Sequence, residues 1–522
     1  MSTYTQREVG GLFELTESTM AELKSSKYYN DDLSPTSVSE RSWTTYSITM
    51  LWVGMSICIP SLSLASGLIG LGVSPWLSVL NVALGNILIL IPIQLNSQIG
   101  TKYGIPFPLF ARLTFGTLGA QIPALLRAIT ACGWTSVQAW VGGGAVGAMI
   151  GAFVPKFADE GWTIGLPSWG GIQESGGGQF FGYVIFMLFI AWVAYNGIDQ
   201  IKWVQNIGSP ILIVVMIGLL FWAYSITPDG TGFFEVMSQP SDDALIEASG
   251  GFAFVYLSGL MGNIAFWATM ALNIPDFSRY AKTQKDQFRG QLYGMPLPMA
   301  ACAFIGAYFS QATKMAYGEA MFDPTGVFYH LDNKIIIAAI GTIAATVTTC
   351  VAANVVAPAN GFSNLAPKKI SYKKGVIITI IIAFFILQAW WIYGSGAAYF
   401  TWMNAYGTIL APIAAIFIAD YFIVKHKRAD IASLFKGAEG RYWYSGGFNV
   451  AAIIAWVLAF IFPLLTYFGV QGSFWTFINS INYVWSFVIG FVVYILLMKT
   501  SLAGNSSVTE EEHEAFTERQ KI

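Results

Sequence analysis

Twelve stretches of this chain run for about twenty residues or more with scarcely a charge, the length an α-helix needs to cross a bilayer's hydrocarbon core of roughly 30 Å. They lie at 43–70, 76–97, 119–153, 179–197, 200–226, 249–274, 289–313, 333–361, 374–394, 397–424, 447–470 and 475–499. Lipid offers backbone N–H and C=O groups no partner, so each stretch must close its hydrogen bonds on itself, and a helix does so. The expected fold class is an all-α polytopic membrane protein with 12 transmembrane helices. Composition agrees: 55% of the 522 residues are apolar and 11% are charged, where a soluble protein carries about a quarter charged residues.

The few charges are informative by position. With the N-terminus inside, the cytoplasmic loops hold Lys102, Arg112, Lys202, Arg279, Lys282, Lys368, Lys425, Arg428 and Arg441, among others. The external loops hold only Lys156, Lys314 and Lys334, and the loop near 227–248 has five acids and no base. The positive-inside rule therefore puts both termini in the cytoplasm of a multi-pass protein of the cell membrane. This divides the chain into a cytoplasmic tail (1–42), five helices (43–226), five more (249–424), a final pair (447–499) and a second tail (500–522). The tails are polar and are expected to be disordered. The first 42 residues contain no hydrophobic signal region, so the first apolar segment is expected to direct insertion. A net charge of −2 gives no footprint for nucleic acid. Cys58, Cys132, Cys302 and Cys350 lie in apolar segments without metal-like spacing and read as packing residues.

Two segments carry interruptions at corresponding places if helices 1–5 and 6–10 are repeats. In the first, Gly54-Met55-Ser56-Ile57-Cys58-Ile59-Pro60-Ser61 includes a proline that removes a backbone donor. In the sixth, Ser258-Gly259-Leu260-Met261-Gly262-Asn263 has helix-weakening glycines and a costly asparagine. Paired interruptions point to an inverted-repeat transporter with its site at the midplane. Ordinary kinks are the plainer alternative, since Gly and Pro are common in membrane helices.

Candidate ligands for a small molecule cluster nearby. Trp134 and Gln138 are four apart on one face of the third helix. An indole plane beside an amide that both donates and accepts suits a flat, neutral, polar ring. Trp267 follows the sixth-helix interruption and is placed to cover the ring's other face. Equally, Trp134 could pack and Gln138 could bond a neighbouring helix. In the eighth helix, Ala345, Thr348 and Thr349 share a face, so a carbonyl and two hydroxyls could converge on a hard cation. The carbonyls of Gly54 and Ile57 at the first break could complete an oxygen set for sodium. Threonine hydroxyls in membrane helices also commonly return to their own backbone. Asn354 falls on the opposite side of an ideal helix from Ala345 and is expected to face the organic ligand. No histidine or carboxylate occupies the expected midplane, which favours sodium over proton coupling.

From about residue 40 to 500 the chain resembles the nucleobase:cation symporter-1 family, and within it the bacterial allantoin-permease branch. The likeness rests on Gly100-Thr-Lys-Tyr-Gly-Ile-Pro-Phe-Pro108, Gly119-Ala-Gln-Ile-Pro-Ala-Leu-Leu-Arg127, Trp267-Ala-Thr-Met-Ala-Leu-Asn-Ile-Pro-Asp-Phe277 and Val351-Ala-Ala-Asn354. It implies the LeuT-type fold: a 5+5 inverted repeat plus two peripheral helices, working by alternating access. Trp134 and Trp267 match the tryptophans that sandwich the ring in the family's hydantoin transporter, and Gln138 and Asn354 match its hydrogen-bonding amides. Gly54, Ile57, Ala345, Thr348 and Thr349 match its five sodium ligands. Two positions depart: Cys58 stands where relatives carry Gln or Asn near the ligand, and Phe266 where the hydantoin transporter has Gly.

The expectation is a sodium-coupled importer of a small planar nitrogen heterocycle or ureide, first of all allantoin. It is expected to be a monomer in the bilayer with a small-molecule substrate, no cofactor and no nucleic-acid partner. A proton-coupled symporter of uracil, hydantoin or a vitamin-like heterocycle is the alternative. A channel would need a continuous polar lining that these helices lack. No HExxH, GxSxG or intramembrane carboxylate pair is present, so an enzyme is not expected.

Overall fold

The first apolar segment is two helices, α1 (Thr45–Ser56) and α2 (Ile59–Gly70), meeting at 53°. Pro60 has no N–H, so the Ser56 carbonyl lacks its helical donor, and the Ser61 hydroxyl donates to it instead at 2.7 Å. Between the halves Ile57 and Cys58 are extended, with ψ 95° and 160°. All of α2 from Ile59 to Ile69 is buried. A glycine on the helix Pro296–Tyr317 lets that packing close, because a Cβ at Gly306 would lie 2.1 Å from the Leu62 carbonyl oxygen. This computed structural model describes residues 4–519 apart from 30, 160, 169–170, 197, 331–334, 366–368, 501 and 503–505.

Further along lie α3 (Pro75–Tyr103), α4 (Gln121–Gly151), α5 (Phe252–Ala265), α6 (Ala268–Asn273) and α7 (Gln284–Gly294). They are followed by α8 (Ile335–Thr349), α9 (Val356–Leu365) and α10 (Gly396–Ile418). Among the described residues, six helices are long and apolar enough to cross a membrane, and two bent pairs pass the same test. One pair is α1–α2. The other joins Ser473–Ser480 to Asn482–Leu497 at 85°.

The sixth segment departs from expectation. Residues 258–263 are not interrupted but lie inside the continuous helix α5, and the irregularity comes later, at Phe266 and Trp267, where Trp267 has φ −102° and ψ 12°. The glycines serve contact rather than breakage: a Cβ at Gly262 would fall 2.4 Å from the Phe400 ring. Asn263 is fully buried and donates to Asn81 Oδ1 at 2.8 Å, which offsets part of the cost of placing an amide there, while its own Oδ1 is buried without a partner.

The eighth segment carries an irregularity that the sequence reading missed. A π turn at Cys350–Val355 separates α8 from α9, and such turns shift the phase of everything that follows.

The described residues of both tails are folded, contrary to expectation. Strands β1 (Gln6–Val9) and β2 (Leu12–Leu15) form a hairpin across Gly10-Gly11, both at positive φ, the geometry a two-residue turn favours. Ahead of the last strand, a second hairpin pairs β3 (Thr163–Ser168) with β4 (Gly171–Gly176), and β5 (Thr517–Arg519) then runs parallel to β1. One tail thus pairs with the other. The Phe13 ring lies 5.0 Å from Tyr103 at the end of α3, and buried Arg41 donates to the carbonyl of Thr101 at 2.8 Å. Lys425, counted above among loop cations, is fully buried against Asp420 and Tyr444.

Candidate binding pocket

Where α1 ends, its last carbonyls have no helical donor, and the break opens onto a cavity of about 60 Å³. The cavity is lined by Met55 and Cys58 from the break, by Arg127, Ala131, Trp134 and Gln138 from α4, by Phe266, Trp267, Thr269 and Met270 from the sixth segment, and by Thr349 and Asn354 from the eighth. All six residues expected to contact an organic ligand therefore surround one space. The α4 contribution follows from helical geometry, since positions 127, 131, 134 and 138 form one stripe. That stripe was legible in the sequence, although Arg127 was not counted in it.

Trp267 is fixed from behind. Its Nε1 donates to Asn86 Oδ1 at 2.9 Å, and its ring meets Trp52 edge-on at 5.2 Å. Trp134 packs edge-on against Trp402 at 5.0 Å. The Phe266 ring lies between the two indoles, 4.9 Å from Trp134 and 5.0 Å from Trp267, nearly perpendicular to both. With a phenyl ring against both indoles, the cavity is well below the roughly 300–1,000 Å³ of ordinary ligand sites.

The polar groups are sparse and aimed. Gln138 is 5% exposed and its Oε1 is buried without a partner, a cost that a ligand's N–H would relieve. Asn354 lies in the π turn, and its carbonyl accepts from Thr135 Oγ1 at 2.6 Å, which ties that turn to α4. The π turn also explains a correction. Asn354 and Thr349 line the same cavity instead of pointing to different sides, because the ideal-helix phase does not hold across residues 350–355. The Cys58 thiol lies 3.1 Å from the Ser61 hydroxyl and adds little polarity.

Of the candidate sodium ligands, Thr349 Oγ1 donates to the Ala345 carbonyl at 3.2 Å, the backbone return named as the alternative above. Gly54 lies within α1 and Ile57 is its C-cap. The side chain of Thr348 lies outside the described residues. The donor set is carbonyl and hydroxyl oxygen, the chemistry of a hard monovalent cation. No carboxylate lines the central cavity among the described residues.

A second cavity, of about 490 Å³, adjoins the first on the face that carries the tails. Arg127 lines both, and with its amide turned to satisfy its neighbours Asn273 accepts from Arg127 Nη2 at 2.8 Å and donates to the Thr269 carbonyl.

Residues 35–490 match the family described as permeases for cytosine/purines, uracil, thiamine and allantoin. A purine-uracil permease of Arabidopsis thaliana is 34% identical over 93% of this chain and 80% of its own length. An allantoin permease of Bacillus subtilis is 32% identical over 94% of this chain and 97% of its own. Among solved structures, the inward-facing conformation of Mhp1 superposes with a TM-score of 0.73 at 21% identity, covering 95% of this chain and 98% of that one. A closed Mhp1 with bromovinylhydantoin bound gives 0.71, over 94% and 99%. At that identity the likeness establishes a shared fold.

Proposed function

The chain belongs to the nucleobase:cation symporter-1 family of permeases, and from that membership we propose that it imports a flat, uncharged nitrogen heterocycle or ureide, allantoin first, together with sodium. Twelve membrane helices, both termini in the cytoplasm of the cell membrane, and a monomer complete the reading. It rests on one observation: Trp134, Trp267, Gln138 and Asn354 converge on a single cavity at the break of the first helix, with Thr349 on its wall.

The chain's own groups divide the work. Trp134 and Trp267 offer planes to a ring once Phe266 swings from between them. Each edge-on aromatic contact that Phe266 gives up is worth about 0.5–1.5 kcal/mol, and stacking on the incoming ring replaces it. Gln138 and Asn354 select a substrate with neighbouring donors and acceptors, because an analogue lacking them leaves a buried amide unpaired. Sodium, as co-transported cargo, would be held by the carbonyls of Gly54, Ile57 and Ala345 and the hydroxyls of Thr348 and Thr349. Ion and ring would share the break, so each would raise the other's affinity. The lack of a carboxylate among the described residues of the central cavity supports this over proton coupling.

The deciding experiment is a tryptophan-quenching screen of the purified protein with allantoin, hydantoins, uracil, cytosine and thiamine, each with and without sodium at fixed pH. One ring should respond, more strongly with sodium, and Gln138→Ala or Asn354→Ala should weaken that response about tenfold or more. A response indifferent to both substitutions means that the site lies elsewhere. Uptake unaffected by sodium defeats the coupling and leaves proton symport.

A further inference from the structure

The cavity on the tail face differs chemically from the central one. Lys27, Arg112, Arg127 and Arg279 line it against a single carboxylate, Asp276. Basic residues on a cytoplasmic surface are ordinary in membrane proteins, but these line one concave space that runs from exposed Lys27 through half-buried Arg112 and Arg279 to Arg127, which is only 8% exposed. Burial holds Arg112 down to about 10, which leaves it charged at neutral pH. None of the four takes part in a salt bridge among the described residues. Their known contacts are mostly neutral. Arg112 donates to the Tyr28 carbonyl at 2.8 Å, and Arg279 to the Tyr280 hydroxyl at 2.8 Å. Asp276 accepts from the Phe107 N–H at 2.8 Å and is the counter-charge felt by Arg127. The Nε groups of Arg127 and Arg279 and the hydroxyl of Thr117 are buried with no partner. Three residues of this lining thus each carry a buried polar atom that the protein itself leaves unpaired, a cost concentrated around one cavity.

We propose that this cavity binds an organic phosphate carrying a flat ring, of the nucleoside monophosphate class, and that its occupation from the tail face slows transport. Guanidinium groups match phosphate oxygens with forked hydrogen bonds, and an excess of three positive charges suits a ligand bearing about two negative ones. Tyr28, Tyr29, Phe107 and Phe277 supply aromatic surface for the ring. A ligand held there stands across the route from the central pocket, since Arg127 borders both spaces. The binding itself does not depend on which ring the central pocket carries; the slowing of transport from the cytoplasm rests on the proposed function and orientation.

The test uses the full chain in lipid nanodiscs with uridine monophosphate, uridine and inorganic phosphate as probes. Uridine monophosphate should bind about tenfold or more tightly than uridine, with an affinity that falls as salt rises. The double variant Lys27→Gln/Arg279→Gln should lose about tenfold of that affinity, with Arg279→Lys recovering part of it, while the central-site response to sodium and substrate persists. In proteoliposomes, uridine monophosphate on the tail side should slow uptake, and on the other side it should have no effect. Equal binding of the nucleotide and uridine overturns the proposal, as does full nucleotide affinity in a double variant whose central site still responds. Inorganic phosphate binding as tightly as the nucleotide overturns the assignment of a ring.

Discussion

The first and sixth helices look alike in sequence and differ in structure. In the first, two residues leave the helical conformation for the extended region and the halves diverge by 53°; in the sixth, α5 and α6 stay nearly continuous through Phe266 and Trp267. Proline removes a hydrogen-bond donor whatever surrounds it, so a carbonyl must find another partner. Glycine merely lowers helix propensity, by about 1 kcal/mol, which close packing readily overrides. The first helix therefore contributes polar backbone to the pocket, and the sixth contributes aromatic walls.

That division can be broken by substitution. Trp267→Ala should lower thermal stability by about 3–5 kcal/mol, the cost of a large core truncation, and should also weaken substrate binding. A melting curve near wild type would show that the sixth helix does not hold this wall. Next in size, Ser61→Ala strips the Ser56 carbonyl of its replacement donor and should cost about 1–3 kcal/mol. Pro60→Ala should cost less, because Pro60 occupies the first turn of α2, where N–H groups have no helical partner. Should the proline variant be the more damaging in denaturation, the ring rather than the hydroxyl maintains the break.

Phe266→Ala sharpens the contrast within the sixth helix. It should lower the melting temperature yet tighten substrate binding about tenfold, since two edge-on contacts no longer have to be given up. Weaker binding in titration would make Phe266 a wall rather than a plug. The smallest effect concerns the loop before the eighth helix, where burial pushes the Asp323 carboxyl up to about 6 from 3.8. The folded chain holds that proton more tightly than the unfolded chain, so the associated stability is complete below about 3.8 and is lost as pH rises through about 6. Melting temperatures of Asp323→Asn between pH 4 and 7 should be flatter than those of wild type.

Several features were readable without coordinates: the long apolar spans, the shared face of Trp134 and Gln138 on α4, and six of the residues that line the pocket. Their periods and compositions are local, and the family strings are long. The tails were misjudged because two four-residue strands either side of Gly10-Gly11 are too short to stand out, and their partner strand lies some five hundred residues away. The π turn left no compositional mark.

By itself the sequence determined that this chain lives in lipid, where its long apolar helices run and where the first must break, because hydrophobic length and a missing N–H act within a few residues of themselves. Only the tertiary structure decided that the sixth helix stays nearly whole, that Phe266 sits between the indoles, and that four cations share one cavity. Those outcomes depend on which surfaces meet across the bundle, and packing between distant segments is written in no single stretch of the chain.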